Sequence, residues 1–439
     1  MLAQGWNIAM RAEGFLDILH HVGSDYADPP VLTIPAALPE LFMFATGIEC
    51  SDPTINGGRI RRDLLAECGH YTHWRQDLAL VQELGLRFLR YGLPYHRVHL
   101  GTDRYDWSFA DLAMAEMRRL GIEPILDLLH FGVPDWIGDF QNPALPLHFA
   151  EYAAAVVARY PWVRYWTPVN EIYVSARMST LDGLWNEQIR TDRAFVTALK
   201  HLTAASKLAC AAITRVRPDA VIVHSESAEI VHEARMQPSA GIAQANKQRF
   251  LALDLLFARR SCAGMTAYLA ENGLTPAEYA WFLQGEPAGH QILGADYYGR
   301  NEHIVKPCGK RFATEDVMGW YLIARDYLER YGKPLMHTET NVFDPQAAPG
   351  WLWKQWISIL RMRQDGMPVL GFTWYSLVDQ VDWDVGLSEL RGVVNGCGLY
   401  DMERHPNPVA AEYRALIEEF GTLPLAIQAA SRNRVLEVA

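Results

Sequence analysis

The chain has little cysteine for its length: six in 439 residues, at Cys50, Cys68, Cys210, Cys262, Cys308 and Cys397, with no C-x-x-C pair. Scattered singly, they exclude a zinc ribbon and a thioredoxin-type motif, and they predict reduced, buried thiols in an intracellular protein. No apolar run approaches the roughly eighteen residues that a membrane-spanning helix needs. There is no excess of basic residues either: 40 Lys and Arg stand against 51 Asp and Glu, a net charge of -11. Nucleic acid is therefore excluded as the main partner, because phosphate binding needs a concentrated basic surface. Met1 to Met10 carries no positive region followed by an apolar stretch, so no secretory signal is expected and the cytoplasm is the expected location. Gly/Ser linkers and long charge runs are missing too, which predicts one large domain rather than a string of modules.

What is present is apolar residue in abundance, 50% of the chain, enough for a large core and too much for disorder. The 14 Trp and 19 Tyr exceed what a plain core requires, and a surplus of this kind suits a pocket for sugars or other flat-faced ligands. The first forty residues differ from the rest, with Asp28-Pro29-Pro30, Pro35 and Pro39 punctuating the stretch from His20 to Glu40. Residues 1–40 read as an N-terminal extension and 41–439 as the main domain; His20-His21 has no evident partner.

From there one phrase recurs: an amphipathic helix, a terminal glycine, then a short apolar strand. Leu78, Val81 and Leu84 share a helix face that Gly85 ends before a strand at 86–90. Phe109, Leu112, Met117 and Leu120 do the same before Gly121 and the strand from Ile122 to His130. Gly332 and Gly366 occupy similar places. Eight strands are predicted, around 42–49, 86–91, 122–130, 163–170, 220–226, 292–298, 334–339 and 369–376, with helical stretches between them. Alternating strand and helix implies a parallel sheet, and eight units predict an α/β fold of the closed (β/α)8, or TIM-barrel, type in a single domain. No G-x-G-x-x-G follows the first strand, which argues against an open dinucleotide-binding sheet.

Polar residues collect where these strands end: Arg90, His130, Asn170-Glu171, Asp296-Tyr297-Tyr298, Glu339, and the stretch from Tyr375 to Asp384. In a barrel those ends share one mouth, where active sites form. Glu171 and Glu339 would face each other there, and two opposed carboxylates can divide the work of glycoside cleavage between proton donation and attack at the anomeric carbon or on water. Arg90 is placed to hold one carboxylate ionised, leaving its neighbour with the raised pKa that an acid needs.

The surrounding motifs carry a family resemblance. Trp166-Thr167-Pro168-Val169-Asn170-Glu171 resembles the W-x-T-x-N-E-P acid/base motif of glycoside hydrolase family 1, and His337-Thr338-Glu339-Thr340-Asn341 resembles its I-T-E-N-G nucleophile motif. Gly371 to Trp383 is similar to G-Y-x-x-W-S-L-L-D-N-F-E-W, Asp296-Tyr297-Tyr298 to N-Y-Y, and Leu129 to Trp136 to L-x-H-W-D-L-P-x-W. Phe44 to Glu49 and His70 to Trp74 match more loosely. The segments keep family order across roughly residues 41 to 415.

The resemblance implies a retaining exo-β-glycosidase of β-glucosidase type acting by double displacement on a terminal β-linked sugar of a glycoside or oligosaccharide. Glu339 would be the nucleophile and Glu171 the acid/base; Asn170 would bind the sugar 2-hydroxyl, and Arg90 and Tyr298 would hold Glu339. His130, Asp382 and Trp383 would line the sugar subsite, with Tyr375 beneath it and Trp136 also at the mouth. No metal and no organic cofactor is implied. Departures are Gly47 in place of Gln, Ile172 in place of Pro, Asp382 in place of Glu, Tyr375 in place of Trp, and Gly92 to Arg97 in place of S-x-S-W-P-R. They imply an unusual sugar, since hydroxyl recognition depends on paired buried polar groups. A transglycosidase and a non-catalytic carbohydrate-binding barrel are the alternatives. A metal-dependent hydrolase would have only His130 and His224 at strand ends to work with. His70-x-x-His73 and the Asp382/Asp384 pair are weaker metal candidates. His224 to Ser227 ends the fifth strand in either a structural or a ligand-facing role. Trp351, Trp353 and Trp356 are expected in packing, with an aglycone platform as the alternative. Neither the sugar nor the oligomeric state is legible.

Overall fold

The eight apolar runs form eight parallel strands that close into a barrel in sequence order. They are β1 Met43–Ile48, β2 Phe88–Gly92, β3 Glu123–Asp127, β4 Tyr165–Thr167, β5 Val221–Ser227, β6 His290–Asp296, β7 Leu335–His337 and β8 Val369–Trp374. Each strand pairs in parallel with the next round the ring, the register shifts between Leu335 and Met336 where β7 meets β8, and β8 pairs with β1 through Met43↔Gly371 to Thr46↔Trp374. This computed structural model describes residues 40–233, 240–305, 311–314 and 316–425. The predicted extension at 1–40, with His20-His21, lies outside the described residues apart from Glu40, and Cys308 lies outside them as well.

Parallel barrel strands are buried on both faces, which is why they read as nearly unbroken apolar runs. In β5, Val221 and Val223 fill the barrel interior with Met43, Phe88, Ile125, Tyr165, Ile292 and Met336. Ile222 between them points outward into the larger core under the helices. That outer layer is built by α1 His70–Glu83, α2 Ser108–Leu120, α3 Leu145–Arg159, α4 Asp192–Val216, α5 Leu251–Leu256, α6 Gly319–Tyr331, α7 Ala348–Gln364 and α8 Pro408–Phe420. Leu352, Trp356 and Ile359 are the buried stripe of α7, at the i, i+4, i+7 spacing of one helix face. Gly121 ends α2 in the left-handed conformation at φ 71°, which a residue with a Cβ adopts only at a cost. Tyr413 of α8 donates from its hydroxyl to the Ala45 carbonyl of β1 at 2.7 Å, tying the last helix to the first strand.

Several sequence readings resolve here as packing. Trp356 is fully buried; Trp351 donates to Thr340 Oγ1 and Trp353 to Glu412, each at 2.8 Å. His70 is buried between Asp77, 2.8 Å from Nδ1, and the Tyr91 hydroxyl, 3.1 Å from Nε2, whereas His73 is exposed. The described cysteines are all free thiols.

Burial lowers the proton affinity of His99, His224 and His337, which makes stability depend on pH; the last two illustrate it. His224 lies edge-on against Phe257 with Gln291 as its partner, and burial pushes it down to about 4. His337 stacks on Trp320 and is pushed down by burial to about 3. Unfolding restores an ordinary histidine that binds a proton near pH 6.5, so the unfolded chain takes up more protons as pH falls below that value. Stability from both rings is present above about pH 6.5 and is lost toward pH 4, at about 1.4 kcal/mol per pH unit per histidine. Urea unfolding at intervals between pH 7 and 4.5 is expected to show this decline. His224→Gln is expected to flatten it by one histidine's share, and an unchanged slope would exclude His224 as a source.

Candidate active site

Past the C-terminal ends of the strands lies a cleft of about 820 Å³ that is open to solvent. Its walls bring together Glu171, Glu339, His130, Tyr298, Tyr375 and Trp383, residues far apart in the chain. The barrel makes this convergence, because every strand delivers its last residues to the same mouth.

Glu339 follows β7 and is addressed on both oxygens. The Arg90 guanidinium from β2 is hydrogen-bonded to Oε1, and the Tyr298 hydroxyl, just past β6, donates to Oε2 at 2.7 Å. Arg90 also donates to Asn170 Oδ1 at 2.8 Å and lies 3.3 Å from Asp127 Oδ2. Those bonds fix the Asn170 amide, whose Nδ2 meets His130 Nε2 at 3.1 Å. The other ring nitrogen, Nδ1, is 2.9 Å from Asp127 Oδ2. With its proton on Nδ1 the ring can donate to Asp127 while Nε2 accepts from the Asn170 amide.

Glu171 has the opposite environment. Its backbone is left-handed, at φ 43° and ψ 66°, and its N–H donates to the Ser225 carbonyl at 2.9 Å. A non-glycine residue held there marks a position that the surroundings over-determine. The buried carboxyl makes no hydrogen bond to another described residue. Burial first, then the charges of Asp296, Glu339 and Glu226, hold its pKa well above the usual carboxylate range. Behind it, Glu226 is pushed up to about 8 by burial, and Asp296, which accepts from Ser225 Oγ at 2.7 Å, is also pushed well up by burial and by Glu339. The two glutamates thus stand in different environments, Glu339 hydrogen-bonded on both oxygens and Glu171 buried with its pKa raised.

The sugar-subsite expectations divide. Trp383 and Tyr375 line the cleft. A Cβ added to Gly47 would lie 2.2 Å from the Tyr375 ring, so the tyrosine occupies the volume that a longer side chain at 47 would need. Asp382 does not face the cleft. Its carboxylate is fully buried and accepts from Arg62 at 3.0 Å and from the backbone N–H groups of Arg391, Gly392 and Val393 at 2.8, 3.0 and 2.8 Å. These donors hold it in the loop after β8 and keep it well ionised, below the ordinary aspartate range despite burial. Asp382 is therefore a loop anchor, a correction to its expected place in the sugar subsite. Asp384 pairs with Arg391. Trp136 also departs from expectation: it packs on His99 and His148, donates to the His99 carbonyl at 2.8 Å, and is not part of the cleft wall. Asp382→Ala is expected to leave four donors without their acceptor and to cost about 1–3 kcal/mol. Thermal unfolding compared with Asp384→Ala, whose carboxylate is at the surface, checks this.

Sequence reading missed Glu49, Gln380, Trp185 and Phe343, which all line the cleft. Glu49 is buried just past β1 and accepts from Ser51 N–H at 2.8 Å, Gln380 Nε2 at 2.9 Å and Trp383 Nε1 at 3.2 Å. Burial raises its pKa. Its position after Gly47-Ile48 was the available signal. Of the His224 to Ser227 group, only Ser227 reaches the cleft.

Among the described residues, one set of metal-type ligands comes together: Cys50, Asp127 and His130, with ligand atoms within 4.8 Å of one another. Cys50 and Asp127 each already contact His130 Nδ1, and the Arg90 guanidinium 3.3 Å from Asp127 sets a positive charge beside the group, which disfavours a cation. The chemistry of the set does not fit a metal.

A (β/α)8 barrel with two buried, differently held glutamates at its mouth is an arrangement that glycoside cleavage can use. The chain belongs to glycosyl hydrolase family 1, whose model matches residues 56–277. Beta-glucosidase A of Thermotoga maritima is 24% identical over 389 residues, which cover 74% of this chain and 81% of that protein. Mouse Klotho is 23% identical over 460 residues, and the match spans 96% of this chain but only 42% of Klotho's length. The structure of the T. maritima beta-glucosidase with castanospermine superposes with a TM-score of 0.70 at 18% identity, covering 87% of this chain and 98% of that one. No helix of the described residues is long and apolar enough to cross a membrane.

Proposed function

We propose that this protein is a retaining exo-β-glycosidase. The observation that carries the proposal is the asymmetry of the carboxyl pair. Glu339 is clamped through both oxygens by Arg90 and Tyr298, while Glu171 is buried, has no hydrogen-bond partner for its carboxyl among the described residues, and has its pKa raised by burial. In this reading Glu171 protonates the glycosidic oxygen as Glu339 attacks the anomeric carbon, giving a glycosyl ester; Glu171 then takes a proton from the incoming water, which releases the sugar. Asn170, fixed by Arg90, presents its amide beside His130 where a 2-hydroxyl would lie. Both proton donor and nucleophile are side chains, so the chemistry calls for no metal or organic cofactor. The side of the cleft made by Glu49, Gln380 and Tyr375 consists of buried residues, which suits a terminal sugar.

The test is a panel of aryl β-glycosides (gluco, galacto, manno, fuco, xylo and N-acetylated), followed by trapping with the 2-fluoro analogue of the best substrate. Mass spectrometry is expected to find one sugar attached to the peptide that carries Glu339. Inverted product configuration, or a label elsewhere, would overturn the mechanism. Failure of every glycoside would favour a carbohydrate-binding barrel, and transfer in place of hydrolysis when an acceptor sugar is added would favour a transglycosidase.

A further inference from the structure

The carboxylate in the wall of the cleft beside Tyr375 and Trp383 is Glu49. Asp382 is buried, is not part of the cleft wall and accepts from four donors. Residue 47 has no side chain, and the Tyr375 ring lies where one would begin. Glu49 stands in the wall with Gln380 and Trp383, reaching it from the end of β1 instead of from the loop after β8.

Three N–H donors converge on Glu49: Ser51 on Oε1, and Gln380 and Trp383 on Oε2. A carboxylate offers about four acceptor directions, so this one keeps a direction for a further donor. A sugar hydroxyl can supply that donor. A phosphate or a carboxylate on the sugar cannot, and would bring a second negative charge into a desolvated site, where repulsion is strong. The arginines of the cleft do not compensate on this wall. Arg177 is engaged by Glu229 and Asp182, and Arg300 stands at the exposed rim, stacked 4.1 Å from the Phe343 ring centre and donating to the Trp383 carbonyl.

We propose that Glu49 is the specificity-determining residue that accepts a hydroxyl of the bound sugar, and that its carboxylate restricts the site to neutral sugars, refusing phosphorylated and uronic ones. The inference rests on the glycosidase reading for its substrate class, but it concerns recognition and can be read from binding alone.

The test compares the neutral aryl β-glycoside that is cleaved fastest, or the glucoside if none is cleaved, with its 6-phosphate. Both are measured as kcat/KM on the wild-type chain and as affinity by calorimetry on Glu339→Gln. The neutral glycoside is expected to be preferred by about 100-fold or more. Glu49→Gln is expected to raise KM for the neutral sugar and to shrink that preference about tenfold or more. Glu49→Asp, which keeps the charge, is expected to bind more weakly with the preference intact; it decides the matter if Glu49→Gln does not fold. Neutral sugar bound but not cleaved would sink the glycosidase reading and leave Glu49 in its role. Equal or better use of the 6-phosphate, a preference untouched by Glu49→Gln, or binding of neither sugar would overturn the inference.

Discussion

Glu339→Gln is expected to lower turnover by about four to six orders of magnitude, while the protein still folds and still binds substrate. The amide has nearly the same shape, so Arg90 and Tyr298 keep partners in place, but an amide oxygen does not form the glycosyl ester. Arg90 retains Asn170 and Asp127 as acceptors, and the stability cost of changing one side of a buried charged hydrogen bond is about 1–3 kcal/mol. Melting and calorimetry would therefore separate loss of the nucleophile from loss of the fold. Arg90→Lys provides a control in the same cluster. A lysine has no second N–H arm with which to hold Asn170 while bonding Glu339, so both kcat and the response to removal of the sugar 2-hydroxyl are expected to suffer. Retention of wild-type rates by Glu339→Gln would refute the proposed mechanism outright.

The barrel was legible in the sequence because its signal repeats. Each strand is a short apolar run, four of them follow a helix closed by Gly85, Gly121, Gly332 or Gly366, and errors at one boundary do not propagate to the next. The predicted strand at 163–170 shortens to Tyr165–Thr167 in the structure without moving Glu171 from the mouth. Glu171 and Glu339 were visible for a similar reason: each sits in a contiguous motif at a strand end. Asp382 was misplaced because its motif stores no information about its partners. Arg62, 320 residues away, and the amides of a loop that folds back over it decide where the carboxylate points. Glu49 was missed by the same mechanism in reverse. Its role comes from Gln380 and Trp383, 331 and 334 residues away, and the one local signal, its place after Gly47-Ile48 at the end of the first strand, does not say which groups it faces. Gly47 was noticed as a missing side chain, but only the structure supplies its complement, the Tyr375 ring that closes the vacated volume. Contacts within one motif can be read along the chain, whereas contacts between motifs have to be seen.

Glu171→Ala is expected to divide substrates by their leaving groups. General acid assistance contributes about 10²–10⁴-fold, and all of it is lost for a sugar or alkyl leaving group, which must depart with a proton. A dinitrophenolate needs none, so its departure should be nearly unaffected, and the glycosyl ester on Glu339 should then accumulate because no base activates water. Azide, which attacks without losing a proton, is expected to restore turnover and yield a β-glycosyl azide. The structure also sets the direction of the pH response. The pKa of Glu171 is raised first by burial and then by its carboxyl neighbours Asp296 and Glu339. Activity of the wild-type chain should fall as pH rises through its pKa, and this alkaline limb should be missing in Glu171→Ala assayed with the dinitrophenyl glycoside. Esterification removes the Glu339 charge from that set, which lowers the proton affinity of Glu171 at the stage where it must act as a base. One carboxyl can thus serve both half-reactions because its partner's charge is present in the first and absent in the second. An alanine variant that is equally slow on all leaving groups, with no azide product, would assign the acid role to another residue.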